Sequence, residues 1–198
     1  MEYSASIMSA AFWYLETRTT AEYLVEGLTK EEIMELSLNE NIYQVNSERR
    51  KKELVRMCYR RLDGFSDELL EYFINSDFNA GRLIVLISIL TTDRLFFEFM
   101  YEVFRQHIIL GNYKLTRSDY KVFMLNKSAQ SEIISNWEEK TKKRVMSNFR
   151  QFLSESNLIN TEGEDDIINV PFVDFRLRDL FEGDENLVPY LKAVTGEN

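Results

Sequence analysis

The sequence predicts a mainly α-helical protein, and three observations carry that expectation. Apolar residues recur at three- and four-residue spacings along most of the 198 residues, the period of a helix with one buried face. Only 2 prolines and 7 glycines are present, too few turn formers for a sandwich of many short strands. Residues that cap or stop helices stand at the ends of the periodic runs. Hydrophobic residues make up 44% of the chain and aromatics 13%, enough for a packed core and against wholesale disorder.

The elements follow in order. Residues 4–16 place Ile7, Ala10, Ala11, Tyr14 and Leu15 on one helical face. Residues 19–26 read as a short helix that Gly27 ends. Thr29 with Glu32 has the spacing of a capping box and starts another helix around Ile33, Met34 and Leu36. Residues 39–46 connect, Ser47 caps a helix over 48–62, and Gly64 ends it. Helices follow over 66–75, 80–90 and 93–110. The second of these is apolar all round and therefore central, and the third is stopped by Gly111. Thr116 and Asp119 cap a helix to 126. A short helix over 131–136 precedes a long one over 138–154. The period then changes to that of a β-hairpin, residues 157–160 and 167–173, turning at TEGEDD. Pro171 predicts an edge position for the second strand. Residues 177–181 and 187–194 close the chain as short helices.

Composition excludes several functions. One cysteine, Cys58, and one histidine, His107, leave no disulfide framework and no Cys- or His-rich metal site. A reducing cytoplasm is the expected compartment. No basic segment opens the chain as in a secretory signal. The longest apolar run, residues 83–90, is far short of the about 20 residues of a membrane helix. Gly-rich phosphate loops, H-E-x-x-H and G-x-S-x-G are missing from the sequence. Cys58 reads as a small core residue, His107 as a packed helix residue, Trp13 and Trp137 as core anchors, and Asp165–Asp166 as solvated charge. Tyr43 fits either the core or a sugar-phosphate backbone. No catalytic residue, cofactor, metal or small-molecule substrate is expected.

The formal net charge of −9 is unevenly placed. Residues 162–198 hold 10 acidic and 3 basic side chains, leaving 23 acidic and 21 basic in the rest. Within that near-neutral body, residues 49–61 (RRKKELVRMCYRR) hold seven basic residues and one acid, and Lys140, Lys142, Lys143 and Arg144 form a second island. Local potential rather than total charge steers encounters with polyanions. The plainer alternative is that each island is a solvated helix face.

Both islands lie on the third helix of a three-helix unit. Residues 19–62 run helix, tight turn, helix, connection, longer helix, the layout of a helix-turn-helix bundle. At 100° per residue, Lys52, Arg56 and Arg60 fall within about 60° of Arg49, while Leu54, Val55, Cys58 and Leu62 lie roughly opposite. Ser47, Arg49 and Arg50 at the N-terminal turn stand nearest to base edges in the usual docking. Residues 115–173 give three helices and then a hairpin, the order of a winged helix. With Lys140 as reference, Lys143, Arg144, Ser147 and Gln151 share one face, and Val145, Phe149, Phe152 and Leu153 the other. The acidic GEDD tip disfavours DNA there. The resulting division is an N-terminal helix-turn-helix-like bundle over residues 1–65, central buried helices over 66–112, and a winged-helix-like unit with an acidic tail over 113–198, all in one compact protein. Ser47, Arg49, Arg50, Lys51, Lys52, Arg56 and Arg60, with Lys140, Lys143 and Arg144, are the candidate DNA-binding residues.

Many weak signals in a fixed order carry a family resemblance. They are Tyr3-Ser4-Ala5, Glu16, Ala21, Leu24, Gly27-Leu28 and Glu32-Ile33; Asn41, Gln44 and Ser47; Arg61-Leu62; Asp93-Arg94-Leu95, Phe99 and Glu102-Val103; Leu115, Asp119 and Phe123; Trp137 and Thr141; and Leu153, Glu155 and Leu158-Ile159. With these, residues 3–159 resemble the BrxA family of BREX phage-defence systems. Asn157 stands where the family pattern has Gly, a change that a left-handed backbone tolerates. The resemblance implies a NusB-like, mainly helical bundle. It also implies a cytoplasmic, non-catalytic protein that binds double-stranded DNA in defence against phage, with other BREX components as possible partners. An older label of the family, an inner-membrane protein, conflicts with the hydropathy. Two other readings stand beside DNA binding: a protein-interaction scaffold, which the acidic tail supports, and RNA binding by analogy with NusB. The tail is also a candidate competitor of DNA for the basic helix.

Overall fold

The computed structural model describes residues 2–161 and 163–197. Met1, Asn198 and Glu162, which falls in the expected hairpin turn, lie outside the described residues. The chain is mainly α-helical with one small antiparallel sheet.

Residues 4–16 do not form the helix that spacing predicts. A 3₁₀ turn, Ser6–Ser9, gives way to extended chain. Trp13 adopts φ 51°, and α1 (Tyr14–Val25) starts there as one continuous helix in place of the expected break before residue 19. The cause is long-range. The Arg61 guanidinium, 1% exposed, donates to the carbonyls of Phe12 (2.6 Å) and Ala11 (2.7 Å). Carbonyls aimed at that fork cannot also point along a helix axis, so the first helical bond is Thr17 N–H to the Trp13 carbonyl, 2.9 Å. The Arg61 and Arg50 guanidinium groups both lie against the Trp13 ring, 5.0 and 4.7 Å from its centre.

In the first three-helix unit, α3 (Glu48–Leu62) packs on both α1 and α2 (Lys30–Asn39), and α1 packs as well on the helix over residues 67–75. Gly27, at φ 85°, closes α1, and the Leu28 N–H reaches back to the Tyr23 carbonyl. Thr29 and Glu32 form the full capping box. The unit has its own small core of Trp13, Ile33, Tyr43, Leu54, Val55 and Cys58, separate from the main one. Tyr43 belongs to that core and bonds the Thr20 hydroxyl at 2.7 Å.

The main core is built on α5 (Phe78–Leu90), buried at every residue from Leu83 to Leu90, with α4 (Asp67–Asn75) beside it. α6 (Arg94–Phe99) continues through a π-helical turn, Met100–Phe104, into α7 (Arg105–Ile109). Below these lies the second unit. β1 (Lys114–Leu115) leads into α8 (Arg117–Gln130), α9 (Glu132–Ser135) and α10 (Glu139–Glu155), followed by β2 (Ile159–Asn160) and β3 (Asp166–Ile168). The sheet order is β1-β3-β2, with Leu115 opposite Asp166 and Ile159 opposite Ile168. β3 is thus central and not the edge strand that Pro171 predicts. It ends at Ile168, before the proline, and β1 pairs its other side.

Asp166 is not solvated charge either. It is 1% exposed, takes a two-pronged bond from Arg150 of α10 (2.7–2.9 Å) and accepts from the Tyr120 hydroxyl of α8 (3.1 Å). It thereby pins the hairpin to both helices. Nor is the acidic C-terminal stretch a loose tail. α11 (Phe175–Glu182) packs on α4, and α12 (Val188–Thr195) packs on α5 and the π turn, burying Leu177, Phe181, Leu187, Leu191 and Val194. Its last turn closes at Gly196, φ 80°, where an added Cβ would collide with the Ile108 side chain.

Candidate nucleic-acid interface

α3 presents Arg49, Arg56 and Arg60 to solvent, with Lys52 half-buried beside them. Its opposite face, Leu54, Val55, Cys58 and Leu62, is locked in the two cores. None of Arg49, Arg56 and Arg60 forms an ion pair among the described residues, whereas Lys52 pairs with Glu48 one turn back. The remaining candidates of this helix serve the fold. The Ser47 hydroxyl accepts from Arg50 N–H at 3.4 Å and starts the helix. Arg50 lies against Trp13 and pairs with Glu53 at 3.0 Å. Lys51 donates to the Leu38 carbonyl at 3.2 Å and ties α3 to α2. Arg61, from the same basic run, faces inward. Burial without a carboxylate partner lowers its pKa to about 10, which still leaves it charged at neutral pH.

α10 exposes Lys140, Lys143 and Arg144, while Val145, Phe149, Phe152 and Leu153 are buried. Lys143 and Arg144 have no ion pair among the described residues. Lys140 pairs loosely with Glu138 (2.8 Å), and Lys142 turns to Glu139 and the Ser135 carbonyl. Lys140, Thr141 and Arg144 also line an open groove of about 620 Å³ with Met8 and Ser9. The sequence gives no signal for Met8 or Ser9, because neither the 3₁₀ turn nor its docking on α10 is local. Asn148 of α10 holds that turn by donating to the Ile7 carbonyl at 2.9 Å.

The stretch between Ile7 and Trp13 therefore touches both cationic helices: α10 through Asn148, and α3 through Arg61. Several acids of residues 163–197 take other partners. Glu197 and Glu182 pair with Arg178, Asp165 with Lys114, Asp166 with Arg150, and Asp174 with the Tyr72 hydroxyl. Among the described residues, none forms an ion pair with the exposed cations of α3 or α10, so the structure gives no contact for a tail that competes there.

Other titratable groups are structural. Cys58 is buried beside the Thr17 hydroxyl, and burial pushes its thiol up to about 11. His107 bonds the Asn112 carbonyl through Nδ1. Lys127, buried on α8, binds Glu98 and Glu102 at 2.6 Å each, and Glu98 also accepts from Tyr3. Among the described residues no group of three or more His, Cys, Asp or Glu is placed to hold a metal ion, and no helix is long and apolar enough to cross a membrane.

Comparison with known proteins agrees with this architecture. A solved structure of an uncharacterized protein from Magnetospirillum magneticum superimposes with a TM-score of 0.81 over 100% of both chains at 17% identity, a likeness of fold. The BREX protein BrxA of Bacillus cereus (strain H3081.97) is 34% identical over 200 residues, covering 98% of this chain and 97% of its own. The BrxA family model matches residues 1–184, through most of the folded C-terminal stretch. The chain belongs to the BrxA family.

Proposed function

We propose that this chain is a non-catalytic, cytoplasmic component of a BREX phage-defence system that binds double-stranded DNA through phosphate contacts from α3 and α10. The observation that carries the reading is the division of α3: three arginines with no ion pair among the described residues on one face of a 15-residue helix whose other face is fixed in the core. Cations held on a rigid element attract a polyphosphate without being consumed by internal acids. α10 supports the same reading more weakly, because Glu138 and Glu139 offset part of its charge. β1 before α8, α9 and α10, with the β2-β3 hairpin after them, fits a winged helix, but the acidic turn of the hairpin makes a poor duplex contact. Phosphate-led binding gives weak sequence preference and a steep loss of affinity with salt.

The test is a fluorescence-anisotropy titration with duplex DNA, single-stranded DNA and RNA at two salt concentrations. Arg49, Lys52 and Arg56 reversed to Glu together are expected to weaken duplex binding by at least about 100-fold and to flatten the salt slope by about 3, with the helical spectrum unchanged. Lys140, Lys143 and Arg144 reversed together are expected to cost about 10-fold. Equal losses would reverse the ranking of the two helices, and retained affinity in the first variant would remove α3 from the account. Preference for RNA would move the reading to the NusB analogy. No binding to any of the three at low salt would leave the scaffold reading, which Phe172 and Phe175, 88% and 79% exposed, favour on their own account.

A further inference from the structure

Two phenylalanines three residues apart stand almost clear of the surface: Phe172 and Phe175. Val170 and Ile167, each 45% exposed, extend the apolar strip toward the sheet. Pro171 fixes the backbone within the strip, so presenting these rings to a partner costs little further order. Exposed aromatics held this way are the usual anchors of an interface. The surroundings carry more acid than base, although the exposed Arg176 adjoins Phe175 and Arg178 pairs with Glu182. Asp179 and Glu182 follow Phe175 on the same exposed face of α11, one and two turns on. α4, against which α11 packs, exposes Asp67, Glu68 and Glu71. Asp179 has no ion pair among the described residues.

The complementary surface is on the same chain. The groove at the start of α10 is lined by Met8, Ser9 and Thr141 together with Lys140 and Arg144; Lys140 pairs with Glu138, Arg144 forms no ion pair among the described residues, and Lys143 is exposed on the same helix. It offers apolar contact inside a cationic rim, the inverse of apolar rings inside an acidic one. The phenylalanines do not fill the groove of their own molecule, since they are exposed.

We propose that Phe172 and Phe175 of one molecule dock in the groove of a second copy, with Asp179 of α11 and the exposed acids of α4 facing Lys140 and Arg144. The two surfaces differ, so each added copy still offers one free groove and one free aromatic pair, and association continues beyond the dimer unless a ring closes. The ionic rim makes the contact weaken with salt. Lys140 and Arg144 are also candidate phosphate contacts, so a second copy and a duplex exclude each other at this groove. The association itself does not depend on DNA binding and is tested without nucleic acid.

The experiment is sedimentation velocity of the nucleic-acid-free full chain over about two decades of concentration, at low and high salt, with two variants. Phe172→Ser with Phe175→Ser removes the rings, and Lys140→Glu with Arg144→Glu removes the cationic rim. All four positions are exposed, so the fold is kept, and circular dichroism checks this. Wild type is expected to show a sedimentation coefficient that rises with concentration and falls back with salt. Each variant alone is expected to remain a monomer. Mixed, they are expected to form a 1:1 dimer that grows no further, because each retains only one working half. A monomeric wild type at all concentrations, association in either variant alone, or a mixture that stays monomeric would each overturn the proposal.

Discussion

α3 and α10 both carry cations outside and an arginine inside, but the inner arginines are neutralised differently. Arg61 of α3 binds two peptide carbonyls and the Trp13 ring but no carboxylate, and burial lowers its pKa. Arg150 of α10 binds the Asp166 carboxylate, which raises its pKa. The Arg61 site positions backbone: it sets the path of residues 11–13 and hence where α1 starts. The Arg150 site joins side chains and holds the hairpin. A count of basic residues treats the two alike, but their surroundings give them different work.

The largest effect is expected at Arg61. Arg61→Met keeps the apolar stem but leaves the Ala11 and Phe12 carbonyls without their donor, at a cost of about 3 kcal/mol. Arg61→Lys is expected to recover little of it, because one ammonium does not reproduce the guanidinium fork. Urea unfolding of the three proteins measures this. A loss well under 1 kcal/mol would show that other donors satisfy those carbonyls.

Asp166→Asn comes next, at about 2 kcal/mol. It leaves the Arg150 charge without its counter-ion, and the partial exposure of Arg150 (side chain 26%) lets water offset part of the loss. If Asp166→Asn matched or exceeded Arg61→Met in the same unfolding series, the carboxylate anchor would be the stronger one and the contrast between the helices would reverse.

The contrast also marks what the sequence made legible. Helices with local signals, such as Thr29-x-x-Glu32 or the apolar run of α5, stand where spacing puts them, and so does the division of α3 into charged and apolar faces. What spacing missed depends on partners far along the chain. Arg61 breaks the first expected helix from about 50 residues away. β1 is two residues long and has no period of its own. Asp166 in an acidic turn looks solvated until Arg150 and Tyr120 are folded over it. The two short helices expected at 177–181 and 187–194 are present, but their spacing does not show that they pack on α4 and α5. At the candidate interface, helical angle already sets Arg50 (about 100°), Arg61 (about 120°) and Lys51 (about 200°) off the face of Arg49, Arg56 and Arg60, but it does not show what they bind, because their partners Trp13, Phe12 and Leu38 lie on other elements.

A pH series probes the α3 side of the molecule again. Asp93 caps α6 by accepting from Phe96 N–H, and burial raises its pKa to about 6 despite the nearby Arg60 charge. The folded state therefore takes up a proton that the unfolded chain, with the ordinary carboxylate value of 3.8, does not yet hold. Stability is lost as pH rises through about 4 to 6, where the buried carboxyl ionises. Asp93→Asn retains the cap without the charge. It is expected to exceed wild type by about 2 kcal/mol at pH 7, with the gap closing toward pH 4. A gap independent of pH would mean that Asp93 stays ionised in the folded protein throughout.

The smallest expected effects compare the two units at their capping boxes. Thr29 with Glu32 and Thr116 with Asp119 have matching geometry: the threonine N–H reaches the carboxylate at 2.7 Å, and the returning bond to the hydroxyl is 3.3 Å. Their surroundings differ. Thr29 is exposed, while Thr116 is half-buried and Asp119 lies 3.6 Å from His107 Nε2. Water replaces a lost bond more easily at Thr29, so Thr29→Ala is expected to cost about 0.5 kcal/mol and Thr116→Ala about 1 kcal/mol. Thermal unfolding of both variants measures the difference. A larger loss at Thr29 would show that α2, which carries the Leu38 carbonyl bound by Lys51, depends on its cap more than α8 does, and that α3 relies on α2 to keep its exposed arginines in place.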